Sequence, residues 1–381
     1  MQPSARPVQP ELPPARRFRA HDIRWVRFAR QSVADGAVEP MGHELSYRWD
    51  HDTLRQDEPP SPFGVSMTLS HALLDGGLRH RSSGCLFVTL DAPALLSTVA
   101  DALCAPLFVI QLPPSLAVEA ATTRRIAQLH ARGYRFALAD LGGADDARWG
   151  WAPFATYAKL PVSQLPSSSW AGWLARAHWA DLKVIADGLR EPTDYLGLRR
   201  LGVQFFQGDL IHSPQEESVR ALPCCDGQVL QKLNRLVERG AARDTLAMVG
   251  ATDPALVIRL LMLQRMYGGG PAPAAVLTDV LEALPYRVLA GWLRILRGSS
   301  LDPHERGRAW SSSVREQMYN FRARLIGARA CRTPMELEAR VFDLYRRLCS
   351  RESLVALLPP EDEPLAAAQV LSGDPVPAPT S

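Results

Sequence analysis

The sequence predicts an α/β domain, built as a trimmed (β/α)8-type barrel, followed by an all-α domain. Three observations carry that prediction. Between Ile23 and Pro214 short apolar runs alternate with helical patterns, and such alternation argues for a mostly parallel sheet. The segment Val184–Pro214 shows the repeating unit most clearly. There Val184-Ile185-Ala186 ends at Asp187, a helix follows a polar turn, and Val203–Phe206 ends at Gln207. A helical connection suits parallel strands, and a polar residue at each strand tip sits where barrels meet ligands. From Gln215 onward the pattern changes to nearly all helix.

Residues 1–22 are rich in Pro and Arg with little to bury, so a disordered leader is expected, and Arg16, Arg17 and Arg19 read as a solvated tail. The expected strands are Trp25–Arg30, His43–Trp49, Cys85–Leu90, Leu107–Leu112, Arg135–Ala139, Tyr157–Leu160, Leu182–Ala186 and Val203–Phe206. At roughly 190 residues this region falls just short of the usual size for such a barrel, so helices are expected to be trimmed or missing. The clearest helix between them is Leu116–Ala131, with Ser115 as its N-cap and Gly133 as its stop. In the closing unit Pro192-Thr193-Asp194 opens the helix Tyr195–Leu201, which Gly202 ends.

In the second half Val229–Arg239 stops at Gly240, Asp253-Pro254 opens Ala255–Met266, and Pro285 opens Tyr286–Arg297. Thr333-Pro334-Met335-Glu336 is a capping box ahead of the helix Met335–Leu348. Gly268–Pro271 reads as a turn, since no Lys follows it as a phosphate loop requires. The expected organisation is thus a leader at 1–22, the barrel at 23–214, the helical domain at 215–372 and a loose tail at 373–381.

The 381 residues suffice for two domains with sizeable cores, and 46% hydrophobic with 22% charged residues is ordinary globular composition. A net charge of +3 gives no argument for a nucleic-acid or membrane partner. The cysteines Cys85, Cys104, Cys224, Cys225, Cys331 and Cys349 show no CxxC spacing and read as small buried hydrophobes in a reducing compartment. No run suggests a membrane span or a signal peptide, so a cytoplasmic location is expected. Trp170, Trp173 and Trp179 share one segment; some belong to a core, and an exposed one would mark an interaction surface.

On this layout the strand tips gather Glu44, Thr89, Gln111, Asp140, Lys159, Asp187 and Gln207. Hydrolysing a phosphodiester with two divalent cations needs several anionic oxygens to converge. Three of these side chains are carboxylates, while Thr89 and Gln111 are neutral, so the array is short of charge. A second reading stays open, in which Glu44, Asp140 and Asp187 cap turns or pair with Arg48 and Lys159. The dipeptides His21-Asp22 and His51-Asp52 read as chance neighbours in tail and loop. His304, beside Asp302 and Glu305, is the single histidine of the helical half and cannot build a multi-histidine dinuclear site.

The first half resembles the EAL-domain family, whose active members hydrolyse cyclic diguanylate. The stretches that carry the resemblance are Arg30–Val33, Gly42–Trp49, Ala139–Gly142, Val184–Leu189 and Leu201–Pro214. The resemblance implies that Glu44 stands at the signature glutamate, although the motif reads Glu-Leu-Ser. It further implies that Thr89 replaces a metal-binding asparagine, Gln111 a metal-binding glutamate and Ala139 the first aspartate of a pair, leaving Asp140. Lys159 survives, Pro161 stands for an aspartate, Asp187 shortens a glutamate, and Arg190 replaces a loop-steadying glutamate. Gln31, Arg48 and Gln207 match nucleotide-contacting positions. Active relatives use two magnesium or manganese ions; with so many ligands lost, no metal or other cofactor is expected here.

The helical half resembles the HDOD domain, through Val229–Arg239, Asp253–Leu261 and Pro285–Arg297, with a weaker match to about Leu371. Together the two halves look like the EAL–HDOD family of bacterial signalling proteins. That resemblance implies a non-catalytic regulatory scaffold acting through contacts with other signalling proteins. Alternatives are a cyclic diguanylate receptor that binds without cleavage, a residual phosphodiesterase, and a nucleic-acid-binding regulator using the Arg-rich leader.

Overall fold

A computed structural model describes residues 25–48, 64–75, 84–220, 225–268 and 277–299. The leader, the tail, His21, Asp22, His51, Asp52, His304, the turn after Gly268 and the expected helix Met335–Leu348 lie outside the described residues.

The chain begins with a hairpin of β1 (Trp25–Asp35) and β2 (Pro40–Arg48). Asp35 makes the turn: its carboxylate accepts the amides of Ala37 and Glu39 at 2.8 and 3.0 Å, replacing backbone partners the turn removes. Six more strands follow: β3 (Cys85–Thr89), β4 (Phe108–Leu112), β5 (Arg135–Leu138), β6 (Tyr157–Pro161), β7 (Lys183–Asp187) and β8 (Phe205–Phe206). From β2 to β8 each strand runs parallel to the next. The barrel closes where β8 pairs antiparallel with the end of β1, Ala34 opposite Phe206. All eight expected strands are present within a few residues of their expected bounds.

A ninth strand, β9 (Gln215–Arg220), pairs antiparallel with the first half of β1. Helix was expected from Gln215, so the sheet runs six residues further than the sequence pattern suggested. Gln-Glu-Glu-Ser carries no apolar alternation, and only the register against β1 makes it a strand. A second difference concerns the helix placed at Leu116–Ala131. It begins only at Ala120, as α3 (Ala120–His130), with Glu119 at the N-cap rather than Ser115. Leu116 is buried in a turn whose amide bonds back to Pro113, which removes that segment from the helix.

The other helices around the barrel are α1 (Gly64–Met67), continued by the π-helical turn Thr68–Asp75, then α2 (Ala92–Leu96), α4 (Ser167–Trp179) and α5 (Pro192–Arg200). Between β5 and β6 there is only a 3-10 segment, Ala147–Phe154, and between α2 and β4 another, Ala100–Ala102. Strand side chains alternate. Leu86, Val88, Ile110, Phe136, Leu138, Ala158 and Ala186 belong to the main core against the helices. Val33, Phe87, Val109, Ala137, Tyr157 and Ile185 form a separate cluster inside the barrel.

The helical half contains α6 (Gly227–Glu238), α7 (Arg243–Gly250), α8 (Pro254–Gly268), α9 (Leu277–Glu282) and α10 (Tyr286–Ser299). Helix α8 is apolar on most sides and is buried accordingly. Its N-cap Asp253 accepts from Ala255 and Leu256 and also from the backbone of Asp226, the residue that caps α6. Helix α10 packs on the barrel at the Ala100–Ala102 turn. A Cβ on Gly291 would lie 2.3 Å from the carbonyl oxygen of Thr98, so only glycine permits that approach. Beside it Tyr267 donates its hydroxyl to the Ala102 carbonyl and accepts the Trp292 indole N–H at 3.2 Å. One hydrophobic core therefore runs from the barrel helices into α6–α10.

Candidate functional site

Period-two alternation places the site. Two residues beyond the apolar interior cluster, in the same inward phase, come Thr89 after Phe87, Gln111 after Val109, Lys159 after Tyr157, Asp187 after Ile185 and Gln207 after Phe205. On β1 the same inward step leads from Val33 back to Gln31, because that strand runs the other way. Glu44 joins from the middle of β2, not from a tip, since β2 extends past β3. Asp140 stands just beyond β5. The side chains thus form a polar layer on an apolar floor, at the C-terminal end of the parallel strands.

Lys159 is the centre of that layer, only 2% exposed in its side chain. Its ammonium lies 2.6 Å from Glu44 Oε2 and 2.9 Å from Asp187 Oδ2. Burial opposes charge on this lysine, yet the two carboxylates outweigh burial and hold its pKa above the ordinary lysine value. Burial likewise pushes the Glu44 carboxyl up, and the charge of Lys159 with the amides of Gln207 and Gln111 brings it below its usual value. Asp140 moves the other way: burial, then the nearby negative Asp187, raise its pKa.

The neutral residues form a second network. Gln207 donates to Glu44 at 2.7 Å and to the side-chain amide oxygen of Gln31 at 3.2 Å, and Gln31 donates to the His212 backbone carbonyl at 3.3 Å. Gln111 donates to Thr89 at 3.2 Å. The amide oxygens of Gln111 and Gln207 are buried without a hydrogen-bond partner. Arg48 lies on β2 by its backbone; its side chain is outside the described residues.

Two local devices fix the rim, and sequence reasoning missed both. Arg148 is buried and donates to the carbonyls of Leu112, Ala139 and Asp140 and to the Asp146 carboxylate, clamping the ends of β4 and β5. It thereby holds Asp140 at φ +44°, a left-handed conformation that aspartate tolerates better than most residues. The second device is Gly208, at φ +147°, where a Cβ would meet Leu189 backbone atoms at 2.3 Å. That contact lets the loop after β7 bond to the loop after β8, Leu189 to Gln207 at 3.0 Å and Leu210 to Leu189 at 3.1 Å. The signal for Arg148 was a lone cation inside Trp-rich sequence, which must find acceptors when buried.

The donor set holds three carboxylates, Glu44, Asp140 and Asp187. Lys159 offsets one of the two charges of Glu44 and Asp187, Gln111 and Thr89 bring no charge, and Ala139 and Pro161 bring no donor side chain. Among the described residues no three His, Cys, Asp or Glu side chains converge to hold a metal ion.

No family model matches the chain, and no curated protein matches it. Among solved structures it is similar to "PaMucR Phosphodiesterase, c-di-GMP complex", at 19% identity and TM-score 0.42, covering 52% of this chain and 97% of that one. It is similar also to the EAL domain of Mycobacterium smegmatis DcpA, at 18% identity and TM-score 0.38, covering 49% of this chain and 90% of that one. A third is the FimX EAL domain from Pseudomonas aeruginosa bound to c-di-GMP, at 16% identity and TM-score 0.39, covering 50% of this chain and 90% of that one. Among the described residues no helix is long and apolar enough to cross a membrane.

Proposed function

We propose that this chain is a non-catalytic signalling regulator, an EAL-like barrel joined to an HDOD-like helical half, acting through contacts with other proteins. The observation that carries the reading is the shortage of donors around the polar layer: Thr89 and Gln111 are neutral, and Ala139 and Pro161 offer no donor side chain. Lys159 offsets one of the charges of Glu44 and Asp187, so few anionic oxygens remain for a pair of dications, and two-metal hydrolysis requires both ions. The test is incubation of the purified protein with cyclic diguanylate and magnesium or manganese. No turnover is expected. Linear dinucleotide forming at an enzyme-like rate, and disappearing in Glu44→Ala, would establish a phosphodiesterase instead.

A second reading is a receptor that binds cyclic diguanylate without cleaving it. The unpartnered amide oxygens of Gln111 and Gln207 favour it, because a buried acceptor gains from a ligand N–H. Gln31, Gln207 and Arg48 are the residues to hold such a ligand. Isothermal titration with cyclic diguanylate decides: heat that is lost in Gln207→Ala supports the receptor, and an absence of heat rejects it.

A further inference from the structure

The polar layer at the barrel mouth holds more negative charge than the described residues balance. Glu44, Asp140 and Asp187 are three carboxylates against one ammonium, Lys159, which leaves two negative charges. The arginines of the rim do not offset them, since Arg148 is paired with Asp146 and Arg190 with Asp209. Among the described residues the Asp140 side chain has neither a hydrogen bond nor an ion pair. On the neighbouring strand Gln111 is 1% exposed, and its amide oxygen has no donor; Gln207 across the mouth is in the same condition. A buried acceptor without a donor has given up its bond to water for nothing. A cation that carries several N–H groups answers both deficits, and guanidinium is that group.

The chain itself brings guanidinium groups within reach. β1 runs opposite to β2–β8, so its first residue, Trp25, stands on the mouth side. From Gln31 in the polar layer up to Trp25 is six residues of strand, a climb of about 20 Å. The residues before Trp25 therefore leave from above the mouth. Leu12–His21 carries Arg16, Arg17 and Arg19 and no Asp or Glu. A chain returning from Trp25 covers at most about 3.3–3.6 Å per residue. Arg19, six residues back, has no slack for a turn, whereas Arg17 and Arg16, eight and nine back, reach the layer with room to bend. We propose that the Arg-rich leader folds over the barrel mouth and sets the guanidinium of Arg16 or Arg17 against Asp140 and Gln111, a plug built into the chain. Any other ligand of the mouth must displace it. Such a plug presupposes the non-catalytic reading, since a pair of dications would leave it no room. Its test uses neither metal nor cyclic diguanylate and can fail while that reading stands.

Residues 1–22 contain no lysine, so Arg16→Lys and Arg17→Lys each give a carbodiimide a new side-chain amine there. Zero-length coupling of the full chain, read by mass spectrometry, is expected to join position 16 or 17 to Asp140. Mixing heavy-isotope with ordinary protein should show that the link lies within one copy. The link should vanish in Asp140→Asn, which tolerates the same left-handed backbone. Trypsin should cut after Arg16 and Arg17 about tenfold faster in Asp140→Asn than in wild type, as loss of one charged hydrogen bond predicts. Links that spare Asp140, links that form only between copies, or no link at all overturn the proposal. So does a leader cut equally fast in both forms.

Discussion

Lys159 decides how the barrel mouth behaves toward protons. Replacing it by Met leaves Glu44 and Asp187 side by side without a counter-charge, at an expected cost of about 3–5 kcal/mol. Urea unfolding near neutral pH measures it. The sign of the pH dependence follows from the two shifts. The Glu44 contribution is present above its unfolded value of 4.5 and drains away as pH falls through the lower folded one. The Lys159 contribution is present below its unfolded value of 10.5 and drains away as pH rises through the higher folded one. The penalty of Lys159→Met should therefore be flat across neutral pH and shrink in acid. A penalty unchanged at low pH would show that packing, not charge, is what the substitution removes. Most of these site residues were legible from the sequence, because strand ends with polar residues are recognisable without a structure. Their pairing was not: Glu44 and Lys159 are 115 residues apart, and only barrel closure brings them within 2.6 Å.

Single elements show where local signals suffice and where neighbours overrule them. Asp253 was legible as the cap of α8 because Asp-Pro before an apolar run has a local meaning. Its second bond, to the amide of Asp226, was not legible. Burial, working against those bonds, raises the Asp253 pKa from 3.8 to about 6. The folded state then holds this proton more tightly than the unfolded one. The associated stability is complete below the unfolded value and is lost as pH rises through the folded one. Asp253→Asn cannot titrate, so its melting temperature relative to wild type should improve between about pH 5 and pH 7.5. Calorimetry at the two pH values checks this, and an unchanged difference contradicts it. Ser115 illustrates the opposite case. It has the chemistry of a cap, yet the burial of Leu116 in a turn moves the helix start to Ala120. β9 has no pattern of its own and exists because β1 offers it a free edge.

At the scale of the whole molecule, alternation of strands and helices foretold a barrel but not how it closes. Strand direction is not written in hydrophobic period, so the antiparallel placement of β1 between β2 and β8 had to come from the coordinates. The junction between halves was equally hidden, because a glycine in a helix reads as a weakness until its neighbour is known. Gly291→Val would force side-chain carbons into the Thr98 carbonyl and the Ala102 methyl. Overpacking of this kind costs about 1–3 kcal/mol. Scanning calorimetry should show one transition for wild type, since the core is continuous, and a lower one for the variant. Two separate transitions in wild type would mean that the halves unfold independently.

The seating of α10 on the Ala100–Ala102 turn also bears on anyone who cuts this protein into pieces. A fragment ending at Arg220 keeps every described strand but uncovers Thr98 and Ala102, against which Gly291 packs. Such a fragment should be sticky and poorly soluble.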